Sequence, residues 1–194
     1  MTESKQTKQN PKTESKAEYN DRAYSIESYD PIWADQFEAE AALIRTVLGD
    51  KIVDIQHVGS TAVEGLTGKP TIDLLVTVKT IEGIDDLNAE FEKIGYDSKG
   101  DFLKMGSRLY NQDQTKDDKV IRLANLHIFP ADHHHAHEMI HIRDYLREHP
   151  EEVEAYNLLK SDLYQKYPED YAAYRRYKNK FMAALVKRMG GECC

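Results

Sequence analysis

The chain has 194 residues, of which 40% are hydrophobic and 31% charged, a balance that describes a soluble globular protein and excludes a collagen-like or wholly disordered one. Its formal charge of -8 argues against bulk coating of nucleic acid, which needs Lys and Arg to displace counterions from phosphates, but leaves room for a basic pocket holding one nucleotide. The cysteines Cys193 and Cys194 are neighbours and cannot frame a disulfide scaffold or a spaced metal knuckle, and no run of about 18 apolar residues exists to span a membrane, so a reducing, cytoplasmic setting is expected.

Residues 1–18 are dominated by Lys, Thr, Ser, Gln and Glu and read as a disordered leader. From Asp30 the pattern changes. Pro31 suits a first helical turn, and Trp33, Phe37, Ala41, Ile44 and Leu48 recur at spacings of three or four before Gly49, which predicts an amphipathic helix. Residues 51–58 alternate apolar and polar like a half-buried strand, and 71–79 is dense enough in Ile, Leu and Val for a central one. Between them lies a Gly-containing connection. The segment 81–94 places Ile84, Leu87, Phe91 and Ile94 on one stripe closed by Gly95, as a crossover helix would. Two strand-like runs, KMGSRLYN and VIRLANLHIF, flank the polar NQDQTKDDK, which predicts a hairpin with a flexible tip and a mixed sheet. From His133 the chain reads as helices, one to about Glu148, a second opened by Pro150 and a third opened by Pro168. Residues 191–194 read as a flexible tail, and no repeat at a solenoid period is present.

The most informative stretch is HVGSTAVEGLTGKPTIDLLV, residues 57–76. Gly59 lets the backbone approach a ligand, Ser60 offers a hydroxyl and an amide, and Lys69 adds a cation, a set that suits a phosphate oxygen. Asp73, a carboxylate within an apolar strand, is costly to bury alone and should face a cleft, a metal ion or a cationic partner. The competing reading makes Gly59 and Gly65 plain turn residues and puts Asp73 in a structural ion pair. The spacing does not decide between them.

Other motifs carry less. HEMIH, residues 137–141, matches H-E-x-x-H, but the positions that would complete a zinc site hold Asp144 and Arg147 in one form and Leu158 in the other. Five histidines between His133 and His141 suit adventitious zinc or nickel binding on a solvated helix start, and zinc-dependent hydrolysis through them is the weakest of the functional readings. RRYKNK, residues 175–180, reads mainly as a solvated helix face, Tyr156 and Tyr174 as core, and no Ser or Cys stands beside an evident base for covalent hydrolase chemistry.

HVGSTAV, GL, KP and ID, followed by LHIF, IRDYLREHP, LK and Y-x-x-x-K-x-x-F, resemble the GrpB family, placed in the nucleotidyltransferase superfamily, over most of residues 24–185. Ile142 and Glu64 depart from its usual Phe and Pro. The resemblance implies an α/β (α+β) fold: a nucleotidyltransferase-like domain over 19–190 with a mixed β-sheet core flanked by helices and a helical C-terminal segment from 133. It also implies a Gly-Ser turn gripping a triphosphate through Gly59, Ser60 and Thr61, and magnesium held by Asp73. Active members of the superfamily pair that carboxylate with a second one for two-metal displacement; here the second position is Leu75, and the later strand offers His127 as a base or a ligand for a transition metal. His57, Lys69, Arg143, Lys160 and Lys178 match the family's remaining polar positions. Arg143 is expected either to contact a phosphate or to pair with Asp73. The expected activity is magnesium-dependent transfer of a nucleoside monophosphate to an acceptor. The alternative is a protein that binds a nucleotide or a phosphorylated small molecule without turning it over.

Overall fold

The computed structural model describes residues 24–190. The leader expected at 1–18 and the tail at 191–194 lie outside them. Helix α1 (Ile32–Leu48) buries Trp33, Phe37, Ala41, Ile44 and Leu48, the stripe that its spacing predicts. Strands β1 (Ile52–Val58) and β2 (Ile72–Val78) pair antiparallel, with Val58 opposite Asp73. The connection between them carries a 3-10 turn at Ser60–Ala62 and is tied to the chain before α1 by backbone hydrogen bonds between Glu27 and Gly68 of 2.8 and 2.9 Å.

The helix expected over 81–94 is shorter. A 3-10 turn at Asp85–Leu87 leads into α2 (Asn88–Lys93), and Gly83, at φ 76°, keeps a regular helix from starting sooner. Ile84 and Phe91 are nevertheless fully buried. A two-residue edge strand that the sequence did not announce, β3 (Asp97–Ser98), follows. The hairpin also departs from expectation: β4 (Arg108–Lys116) and β5 (Lys119–Pro130) pair through the polar stretch as far as Lys116 opposite Lys119. The supposed flexible tip is only Asp117 and Asp118, both at positive φ, the two-residue turn that matches the twist of paired strands.

The sheet has the order β1-β2-β5-β4-β3, with β2 and β5 parallel and the other pairs antiparallel. It is mixed, as predicted. Alternation decides what each face carries. Ile72, Leu74, Val76, Ala124, Leu126 and Ile128 point into one core with α1, α2 and Tyr110. Asp73, Leu75, Asn125 and His127 occupy the intervening positions. Over that second face fold α3 (His134–Glu148), α4 (Pro150–Lys166) and α5 (Tyr171–Arg188). They hold one another and the β1–β2 connection through Val63, Leu66, Leu146, Tyr156 and Leu185. Helix α5 starts three residues after Pro168, because the Asp170 side chain caps it by accepting from the Ala173 amide at 2.8 Å. Among the described residues no helix is long and apolar enough to cross a membrane.

Candidate functional site

Gly59 and Asp73 meet where β1 ends and β2 begins. Gly59 lies at φ 75°, and a Cβ added to it would stand 2.4 Å from Asp73 Oδ2, so no other residue fits without displacing the carboxylate. Gly68 has the same relation to the next residue, its missing Cβ leaving 2.8 Å to Ser60 Cβ. The turn therefore presses Ser60 between Gly59 and Gly68 and sets it beside Asp73. The sequence reading named Gly59 and Gly65; Gly68, where the packing is tight, was missed.

Asp73 is positioned by a chain of amides. Its Oδ1 accepts from Asn125 Nδ2 at 2.7 Å, and Asn125 Oδ1 accepts in turn from Asn111 at 3.0 Å and Arg122 at 2.9 Å. These bonds fix which way the Asn125 amide points. Arg122 is itself paired with Asp113. His127 Nε2 stands 3.9 Å from Asp73 Oδ1. Burial pushes the Asp73 carboxyl up, but the His127 imidazole, the Asn125 amide and the Lys69 ammonium outweigh it and hold the group below its ordinary value. Asp73 is thus a carboxylate surrounded by donors.

Around it opens a cleft of about 330 Å³ between the second face of the sheet and the C-terminal helices. Lys69, Arg143, Lys160, Arg175 and Lys178 line it, and Asp73 is the sole carboxylate among the described residues that do so. Lys160, 1% exposed, donates to Thr67 O and approaches Ser60 Oγ to 3.3 Å, with its ammonium 4.2 Å from the centroid of the Tyr156 ring. Burial, reinforced by Lys178, pulls its pKa down to about 6. Burial and the charge of Lys69 pull Lys178 down to about 8, against the opposing pull of Asp73. Lys69 donates to Tyr171 Oη at 2.7 Å. An apolar part of the wall comes from Phe102, Leu103, Ile142, Leu146 and Met182.

Of the residues singled out from sequence, Gly59, Ser60, Thr61, Lys69, Asp73, His127, Arg143, Lys160 and Lys178 come together here. His57 does not. Its ring stacks on Phe37 at 4.8 Å, its Nε2 lies 2.9 Å from Thr61 Oγ1, and burial lowers its pKa to about 4. It props the turn from behind, neutral, and Thr61 spends its hydroxyl on this contact and on Thr71 O. Arg143 reaches the cleft wall but is not paired with Asp73: it donates to Asp144 at 2.7 Å, Gln56 at 2.7 Å and His57 O at 3.0 Å. The RRYKNK run is not wholly a solvated face, since Arg175 and Lys178, three residues apart, share the inner side of α5. Tyr156 and Tyr174 are buried as expected, yet also face the cleft.

Asn125 and Arg175 were not foreseen. Asn125 had one available signal, a polar residue interrupting the apolar run VIRLANLHIF at the strand position opposite Asp73. In HEMIH, His137 and His141 are exposed, Glu138 is paired with His135 at 2.9 Å, and no group of three or more His, Cys, Asp or Glu able to hold a metal occurs among the described residues. Among the described residues the zinc reading therefore has no completing ligand. His133 accepts from the His135 amide at 3.2 Å as the helix cap, and its Nε2 lies 3.0 Å from Met105 O, tying the loop that carries Phe102 to α3.

The family model described as GrpB protein matches residues 23–188. The crystal structure of a conserved protein GrpB from Enterococcus faecalis superposes with a TM-score of 0.75 at 33% identity, covering 85% of this chain and 99% of that one. The glutamate-rich protein GrpB of Alkalihalophilus pseudofirmus is 31% identical over 166 residues, 81% of this chain and 90% of that protein. The UPF0157 protein YqkA of Bacillus subtilis is 29% identical over 164 residues, which is 84% of this chain but 46% of YqkA.

Proposed function

The chain belongs to the GrpB family, and on that premise we propose that it binds a phosphorylated small molecule in the cleft over Asp73. The observation that carries the reading is the lining of the cleft, which gathers five basic side chains around one carboxylate. Two of those cations are strained by the arrangement, because burial drives Lys160 and Lys178 towards their neutral forms. Keeping amines in such a place costs folding free energy unless something anionic restores their charge. A phosphate bound between Ser60, Lys160 and Lys178 does so, and the setting we propose is the cytosol.

Magnesium-dependent nucleotidyl transfer is the second reading, favoured by Asp73, an ionised carboxylate beside the Gly-Ser turn. The donor set does not fit a two-metal centre built by the protein. Asn125 presents its amide hydrogens to Asp73, and Leu75 has its side chain fully buried. His127 faces the same cleft, with its Nε2 3.9 Å from Asp73 Oδ1.

The deciding experiment is calorimetric titration of metal-stripped protein with pyrophosphate, ATP, GTP, CTP and UTP, with and without magnesium. Binding that needs no magnesium, survives Asp73→Asn and falls at least tenfold in Lys178→Gln supports the anion-binding reading. Magnesium-dependent binding abolished by Asp73→Asn supports the transferase instead. Failure of every anion to bind overturns both.

A further inference from the structure

On the far side of Lys69 and Tyr171 from Asp73 lies a second cavity, of about 250 Å³, into which Tyr24, Pro70 and Ile121 project. It shares Lys69, Thr71 and Tyr171 with the basic cleft as a common wall. The partition includes a hydrogen bond from Lys69 Nζ to Tyr171 Oη at 2.7 Å. Lys69 sits on a flexible four-carbon stem, so turning its ammonium towards a phosphate in the cleft removes that bond.

The cavity differs from the cleft in what it offers a ligand. Each polar group on its wall is already engaged within the protein. Thr71 donates to Arg122 O at 3.0 Å, Ser25 to Glu27 at 3.0 Å, and Tyr24 to Tyr167 O. The Arg122 guanidinium is neutralised by Asp113 and bonded to Asn125. The rest of the wall is carbon: the rings of Tyr24 and Tyr171, whose centroids are 5.2 Å apart with the Lys69 ammonium 4.4 Å from that of Tyr171, and the surface of Pro70 and Ile121. Such a wall rewards an apolar group and penalises a hydroxylated one, which would lose its hydrogen bonds to water without replacing them. The volume suits one ring.

We propose that this cavity is a second subsite, continuous with the basic cleft, that receives an apolar ring-sized group of a ligand whose phosphate lies among Lys69, Lys160 and Lys178. The inference rests on the anion-binding reading above and narrows it, from phosphorylated molecules in general to phosphomonoesters of small apolar alcohols, aromatic ones foremost. Ile121 and Ser25 then act as specificity determinants, since they touch the organic part and not the phosphate.

The test is calorimetry on the full chain with three probes, inorganic phosphate, glycerol 1-phosphate and benzyl phosphate. Benzyl phosphate is expected to bind at least about tenfold more tightly than the other two, as burial of one ring implies. Ile121→Trp and Ser25→Phe, which fill the cavity, are expected to bring benzyl phosphate down to the affinity of inorganic phosphate while leaving inorganic phosphate unchanged, an unchanged value that also certifies the fold of each variant. Equal affinity for benzyl and glycerol phosphates, or a benzyl preference untouched by both variants, overturns the subsite while leaving the basic cleft standing. If none of the three anions binds, the cleft reading fails and the subsite with it.

Discussion

Lys160 Nζ lies 3.3 Å from Ser60 Oγ, although the two residues are 100 positions apart. Helix α4 thus delivers an amine into the Gly-Ser turn, at a depth where it holds a proton poorly. The unfolded chain keeps that proton to about 10.5 and the folded one to about 6. Between those values the unfolded state binds more protons, so this residue makes stability rise with pH across the window and fall as pH drops towards 6. Its slope is at most about 1.4 kcal/mol per pH unit. Urea unfolding of Lys160→Met at several pH values from 6 to 9 is expected to show a shallower rise than the native chain.

The same amine should make ligand binding proton-coupled. An anion beside Lys160 and Lys178 favours their charged forms, so protons are taken up on binding and affinity falls as pH rises through 6 to 8. Titration of pyrophosphate at pH 7 in buffers of different ionisation enthalpy is expected to show uptake on the order of one proton. Lys160→Met should abolish most of it. Binding with no proton exchange would contradict the charge state assigned to the empty cleft.

The two tight glycines are expected to fail differently. Gly59→Ala puts a side chain on a left-handed backbone and a methyl group against Asp73 Oδ2, and should cost at least about 1–3 kcal/mol of stability as well as anion binding. Gly68→Ala meets only the Ser60 side chain. It should weaken binding by displacing Ser60 with the smaller loss of stability. Urea unfolding paired with pyrophosphate titration separates the two.

His57 gives the opposite pattern. Because it stands behind the turn, His57→Leu should leave pyrophosphate affinity within about twofold, yet cost about 1 kcal/mol at pH 7 by taking a partner from the buried Thr61 hydroxyl. Its folded pKa of about 4 lies below the ordinary 6.5, so its contribution is complete above 6.5 and is lost as pH falls through 4. Acid unfolding of the variant should lack that component.

What could be read from the sequence was what repeats at short range. The α1 stripe, the apolar density of β2 and the Gly-Ser turn before Asp73 are local patterns, and each stands where the residues predict it. The hairpin was cut short because β4 and β5 run past the core into solvent, where pairing needs no apolar alternation and NQDQTKDDK looks like a loop. The site was half legible for a related reason. Asp73 and Lys69 are conspicuous within one segment, but Arg175 and Asn125 acquire their meaning from a sheet face and a helix that meet only in the folded chain. Arg175 has the composition of a solvent-facing residue, and only the docking of α5 turns it inward.

That docking has a cost that falls on one event. The turn with Asp73 lies on β1 and β2, whereas Lys160, Arg175 and Lys178 sit on the last two helices, so the docking of those helices crowds basic groups together over the sheet. A bound anion would then act as the counterion of the final helix. Its effect should be sought less at the turn than in how slowly the amides of α5 exchange with solvent, the clasp that the ligand fastens.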